Sequence, residues 1–112
     1  SSHVARIILA AMNHNPQIRA AVNVKYSEDI VDICRKMNLS ISSFNRSEEP
    51  EEVHTMDWGT SYAIGQHGNV PDIIYDIGGP GKEPMIRILG KNAREVARIA
   101  VDISERYTIE KD

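Results

Sequence analysis

The sequence predicts an α/β fold: a single layered domain in which helices flank a mixed β-sheet. Three observations carry that prediction. Hydrophobic periods run along the chain in the order helix, strand, helix, strand, helix, strand, strand, helix, and such alternation stacks helices on a sheet. The 112 residues suffice for one core and are too few for two domains. Apolar residues make up 41% and charged residues 26%, as in ordinary globular chains.

Each element has its own signal. Over residues 3 to 14, Val4, Ile7, Ile8 and Ala11 recur at helical spacing, Ser2 suits a cap, and Pro16 closes the segment. Residues 20–25 alternate, with Val22 and Val24 on one face and Asn23 and Lys25 on the other, which predicts a strand. Ser27 suits the N-cap of a second helix, whose apolar stripe is Ile30, Ile33, Cys34 and Met37. Residues 39–44 alternate as a second strand, and the polar run from Asn45 to Glu52, containing Pro50, reads as a solvated acidic loop. A third helix is expected from about 55 to 66, ended by Gly68. Residues 72–77 form a compact apolar run, a buried strand that enters the turn Gly78-Gly79-Pro80-Gly81. Residues 85–89 are the fourth strand. Asn92 and Glu95 begin the last helix as a capping box, and its buried stripe is Val96, Ile99, Ala100, Ile103 and Tyr107.

Bulk properties exclude several functions. A net charge of −3 argues against a phosphate-backbone binder, so no nucleic-acid partner is expected. No apolar run approaches the length of a membrane span. The one cysteine, Cys34, forms no internal disulfide and suits a reducing cytoplasm. Zinc-hydrolase and nucleophile-elbow motifs are absent from the sequence.

Three clusters carry groups able to do chemistry. His3 and Arg6 share the polar face at the start of the first helix, where free N–H groups and the dipole favour an anion. A histidine there exchanges a proton or binds a phosphate oxygen; the alternative is a plain surface histidine. Arg46 directly follows the second strand, and its guanidinium fork suits phosphate, unless it only pairs with Glu48 or Glu49. The third cluster runs from Asp72 to Glu83. There a buried strand enters glycines that let backbone approach a phosphate, with Lys82 supplying charge. Asp76 and Glu83 offer oxygen ligands for magnesium. The pattern is not a P-loop, and an ordinary tight turn is the alternative. His14, His54 and His67 read as surface residues, and Trp58 with Tyr62 as core.

Four segments in order, SSHVARIILAAM at 1–12, IRAAVNVKYSEDI at 18–30, SSFNRSEEPEEV at 42–53 and PDIIYDIGGPGKEPMIRILG at 71–90, together resemble the ThiN domain. The resemblance spans nearly the whole of residues 1–112. It implies a thiamine-phosphate synthase, which condenses hydroxymethylpyrimidine diphosphate with hydroxyethylthiazole phosphate and releases pyrophosphate. It makes His3 the expected catalytic residue. The expected substrate-binding set is Arg6, Asn23, Lys25, Arg46, Asp72, Gly79, Gly81, Lys82 and Glu83, with Asp76 and Glu83 for magnesium. In archaeal bifunctional ThiDN proteins the domain follows a hydroxymethylpyrimidine kinase, so that kinase is the expected N-terminal partner; a homodimer is also compatible. The family uses an arginine further upstream, ahead of Ser1, so a truncated fragment, inactive alone, is expected. The competing reading is the thiamine-compound-sensing, non-catalytic domain of archaeal regulators. Such domains lack the helix bearing the histidine, which this chain has.

Overall fold

A computed structural model describes residues 2–50 and 55–111, with side chains from His3 to Pro50 and from Trp58 to Lys111. Its elements are α1 (Ser2–His14), β1 (Ala20–Lys25), α2 (Glu28–Lys36), β2 (Ile41–Ser43), a single 3-10 turn (Arg46–Glu48), α3 (Thr55–His67), β3 (Ile73–Asp76), β4 (Met85–Gly90) and α4 (Ala93–Lys111). The expected order of elements is the observed one. The sheet order is β1-β4-β3-β2, with β1 and β3 antiparallel to β4 and β2 parallel to β3. The sheet is therefore mixed.

Side-chain alternation along the strands sends successive residues to two different cores. Ile73, Ile86 and Ile88 pack with Val31, Ile33 and Cys34 of α2 and with Val96 and Ile103 of α4. Ile74 and Leu89 point the other way, to Ile7 and Ala11 of α1, Ala63 and Ile64 of α3, and Phe44. The domain thus has three layers, α2 and α4 below the sheet and α1 and α3 above it. Strands buried on both faces read as continuous apolar runs, and β3 and β4 do so.

Local signals set the helix limits. The Ser27 hydroxyl accepts from the Ile30 amide at 3.1 Å, and Asn92 Oδ1 accepts from the Glu95 amide at 2.8 Å. Each satisfies one orphan donor of a first turn. Gly68, at φ 101, ends α3 in the left-handed region. The Ser2 side chain, the Glu51–Glu52 part of the acidic loop, and His54 lie outside the described residues.

Two strands are shorter than their sequence patterns. β2 keeps only three residues of the expected 39–44 and pairs with β3 alone. The Leu39 amide instead bonds the Cys34 carbonyl and closes α2. β3 stops at Asp76 because the Gly78 amide donates to Asp76 Oδ1 at 2.8 Å, which starts the turn and leaves Ile77 exposed. The loop after β2 holds a turn of 3-10 helix, nucleated by Asn45 Oδ1 accepting from the Ser47 amide at 2.9 Å. No helix of the described residues is long and apolar enough to cross a membrane.

Candidate functional site

The carboxyl ends of parallel β2 and β3 point the same way, and the two chemically suggestive loops leave from there. Ligand sites of α/β sheets gather at such ends. Arg46 comes off β2, and the glycine turn comes off β3. They meet through Asp76, whose Oδ1 is 2.8 Å from Arg46 Nε. A side chain built on Gly79 would stand 3.7 Å from Arg46 Cβ, so the glycine turn packs directly on that arginine.

The turn itself follows from its sequence. The Gly79 amide donates to the Lys82 carbonyl and the Lys82 amide to the Gly79 carbonyl, at 3.1 and 2.9 Å. Pro80 and Gly81 fill the tip, with Gly81 at φ 71, as a type II turn requires. Gly78 is at φ 79, and a Cβ there would lie 2.6 Å from the Lys82 carbonyl oxygen. Lys82 Nζ lies 3.6 Å from Glu49 Oε2, which brings the lysine to the loop that carries Arg46. Arg46, Gly79, Gly81 and Lys82 are therefore assembled in one corner, with the exposed Glu83 just after the turn.

One member of this corner was missed by sequence pattern. Arg87 stands in the middle of apolar β4, yet it is fully buried. Its Nη1 is 2.8 Å from Asp76 Oδ2 and 3.4 Å from the Met85 carbonyl, and its guanidinium lies 5.1 Å from the centre of the Phe44 ring. Burial pulls the Arg87 pKa down, and the Asp76 charge opposes that pull. The available signal was a single charge inside the run MIRIL; its partner Asp76 is brought to it only by the β3–β4 pairing.

Asn23 and Lys25 are exposed on β1. In register Asn23 faces Arg87, and Lys25 faces Met85, which in turn faces Asp76. Opposed residues share a face, so Asn23 and Lys25 lie on the α1 and α3 side, at the end where the glycine turn leaves. The link from Asn15 to Arg19 reverses the chain between α1 and β1, which pack together. The start of α1 carries exposed His3 and half-buried Arg6. Asp72 stands at the opposite end of β3. Its Oδ2 accepts from the Ser40 amide and hydroxyl at 3.0 and 3.1 Å, which ties β2 to β3 away from the corner.

Asp76 is poorly suited to magnesium. Both its oxygens face guanidinium nitrogens at 2.8 Å, so a dication there would meet two positive charges. Among the described residues no group of three or more His, Cys, Asp or Glu side chains is gathered for a metal. Beside the Arg46 loop a cleft of about 520 Å³ is lined by Ser42, Phe44, Asn45, Glu48, Tyr62 and Tyr75, among others. The hydrogen bond from the Tyr62 hydroxyl to Glu48, with that carboxylate's charge, raises the tyrosine pKa.

The sequence profile of the family described as thiamine-phosphate synthase ThiN matches residues 1–102. A bifunctional thiamine biosynthesis protein ThiDN of Methanocaldococcus jannaschii is 50% identical over 96% of this chain and 25% of its own length. A thiamine-phosphate synthase ThiN of Methanothermobacter thermautotrophicus is 43% identical, over 96% of this chain and 59% of its own length. The chain thus spans a quarter to three fifths of these curated relatives. A crystal structure of the C-terminal domain of a 50% identical protein superposes with a TM-score of 0.91, covering 97% of this chain and 60% of that one. The C-terminal domain of a phosphomethylpyrimidine kinase, 38% identical, gives 0.83 over 92% of this chain and 61% of that one.

Proposed function

Because the chain belongs to the thiamine-phosphate synthase ThiN family, we propose that it carries synthase chemistry, joining hydroxymethylpyrimidine diphosphate to hydroxyethylthiazole phosphate. The observation that carries this reading is the corner where Arg46, the glycine turn and Lys82 meet at the carboxyl ends of β2 and β3. In the reaction the bond between the pyrimidine methylene and the diphosphate oxygen breaks. The thiazole nitrogen forms the new carbon–nitrogen bond, and pyrophosphate leaves with the electron pair. The protein must hold two anions in line and stabilise charge growing on the leaving group. Arg46 and Lys82 supply positive charge, and the glycine turn lets backbone amides approach the phosphate oxygens. His3, at the start of α1, supplies a further donor. Asp76, with a guanidinium at each oxygen, is a poor residue to hold a magnesium ion.

The wider setting is part of the same proposal. A hydroxymethylpyrimidine kinase domain in the same polypeptide is the partner, supported by the match to a quarter of a bifunctional relative. Phosphorylated substrates and a buried free thiol suit the cytoplasm. The test is to supply both substrates and measure thiamine phosphate. Binding of thiamine phosphate without turnover would instead mark a sensing domain.

A further inference from the structure

We infer that Arg87 is a positioning residue: through Asp76 it sets the direction in which Arg46 presents its guanidinium beneath the glycine turn. The inference rests on the reading of Arg46 as a phosphate grip. Arg87 itself lies too deep to touch a substrate, since its side chain is 1% exposed and that of Asp76 is 0%. Arg46, at 11%, is the member of the triad that reaches the surface.

The geometry makes Asp76 a coupling between the two. Its Oδ1 accepts from Arg46 Nε and from the Gly78 amide, each at 2.8 Å. Its Oδ2 faces Arg87 Nη1 at 2.8 Å. A carboxylate held at one oxygen still turns about its Cβ–Cγ bond, and the bond to Arg46 turns with it. The Arg87 charge beside the second oxygen opposes that rotation. Arg87 is in turn anchored by the core, through the Phe44 ring and the Met85 carbonyl. Order therefore passes from the buried sheet to a surface cation. The bond to Asp76 uses the Arg46 Nε–H, and the Nη end of the fork is the end that grips a phosphate. The same Asp76 oxygen holds the Gly78 amide, so one carboxylate orients both the arginine and the entry to the glycine turn.

Stability alone is a poor reason for this arrangement. Removing a charged pair from water costs several kcal/mol per ion, and apolar side chains of similar volume fill such space at less cost. Fixing a ligand-binding group within a fraction of an ångström is what such a supporting interaction achieves.

The test uses a protein carrying this domain with Arg87→Met, Arg87→Lys, Arg46→Met and the Arg46→Met/Arg87→Met pair. Calorimetry measures the affinity for inorganic pyrophosphate, and NMR follows the Arg46 Nε–H signal without ligand. Arg87→Met should weaken pyrophosphate binding about tenfold, the scale of losing one buried charge interaction behind the grip. Arg87→Lys should recover part of that loss. The double variant should bind no more weakly than Arg46→Met, because Arg87 acts through Arg46. The Arg46 Nε–H should lose its hydrogen-bonded shift and exchange protection in Arg87→Met, while the Ile88 and Leu89 amides keep theirs. Additive losses, or an unmoved Arg46 Nε–H, would overturn the inference. If Arg87→Met does not fold, Arg87→Lys decides by the same two readouts, and wild-type values in both overturn it. If the wild-type chain binds no pyrophosphate, the phosphate-grip reading fails, and the Nε–H comparison still decides whether Arg87 sets Arg46.

Discussion

Gly78 and Gly81 both sit at positive φ, but their surroundings differ. A Cβ on Gly78 would press into the Lys82 carbonyl and Pro84 nitrogen at 2.6 and 2.8 Å, whereas nothing lies within 4 Å at Gly81. Gly81→Ala should therefore cost only the left-handed strain, about 1–2 kcal/mol. Gly78→Ala should cost more and also displace the Asp76 bond; urea unfolding of the two variants side by side checks the order. Cys34 offers a separate test. It is fully buried, and desolvation pushes its thiol up to about 11 from an ordinary 9.0. Between those values the folded chain keeps a proton that the unfolded chain has released. The stabilisation is complete below about pH 9 and is lost as pH rises toward the folded value, at up to about 1.4 kcal/mol per unit. Wild-type stability should fall over that range more steeply than that of Cys34→Ala. Equal slopes would show that the thiol does not titrate as its burial demands. Single residues were also where the sequence was least legible. Arg46, Gly79 and Lys82 announced themselves by type and by position after a strand. Arg87 did not, because a charge inside an apolar strand acquires meaning only from its partner across the ladder. Asp72 is close to the site in sequence, yet it faces Ser40 at the other end of β3.

At the scale of elements, helices start where a capping side chain is available. Ser27→Ala and Asn92→Ala should each cost about 1 kcal/mol, the usual loss for a removed N-cap. The exposed pair of Lys36 with Glu110, 3.0 Å apart, should matter less, since surface ion pairs contribute at most about 1 kcal/mol. Thermal melts of Ser27→Ala and Lys36→Ala test that ranking. Helix limits were legible because caps, breakers and the 3.6-residue stripe are all local in sequence. Strand limits were less so. Nothing within residues 39–44 says that β2 will be an edge, and only the β3 neighbour decides which of its residues pair. The 3-10 turn at Arg46–Glu48 was likewise hidden in a polar run that reads as loop, although Asn45 is the residue that caps it.

For the whole molecule, the alternation of helix and strand was enough to give the layers, since helices that alternate with strands bury their apolar stripes on the faces of the shared sheet. It did not give the strand order, which arises from long-range pairing. It also did not show that α1 and α3 share one core while α2 and α4 share the other. That division places the start of α1 on the same side as Arg87 and Lys25. His3 is exposed in the first turn, so His3→Ala should leave the melting transition within about 0.5 kcal/mol of wild type. The most direct measurement of synthase chemistry pairs that melt with turnover, on the same sample of a protein carrying this domain supplied with both substrates. The wild type should form thiamine phosphate and pyrophosphate in equal amounts. His3→Ala, still folded, should turn over about 100-fold or more slowly, the scale expected when a positioned proton donor or charge-stabilising group is removed. Wild-type binding without product, or undiminished turnover in a folded His3→Ala protein with both substrates saturating, would contradict the assignment.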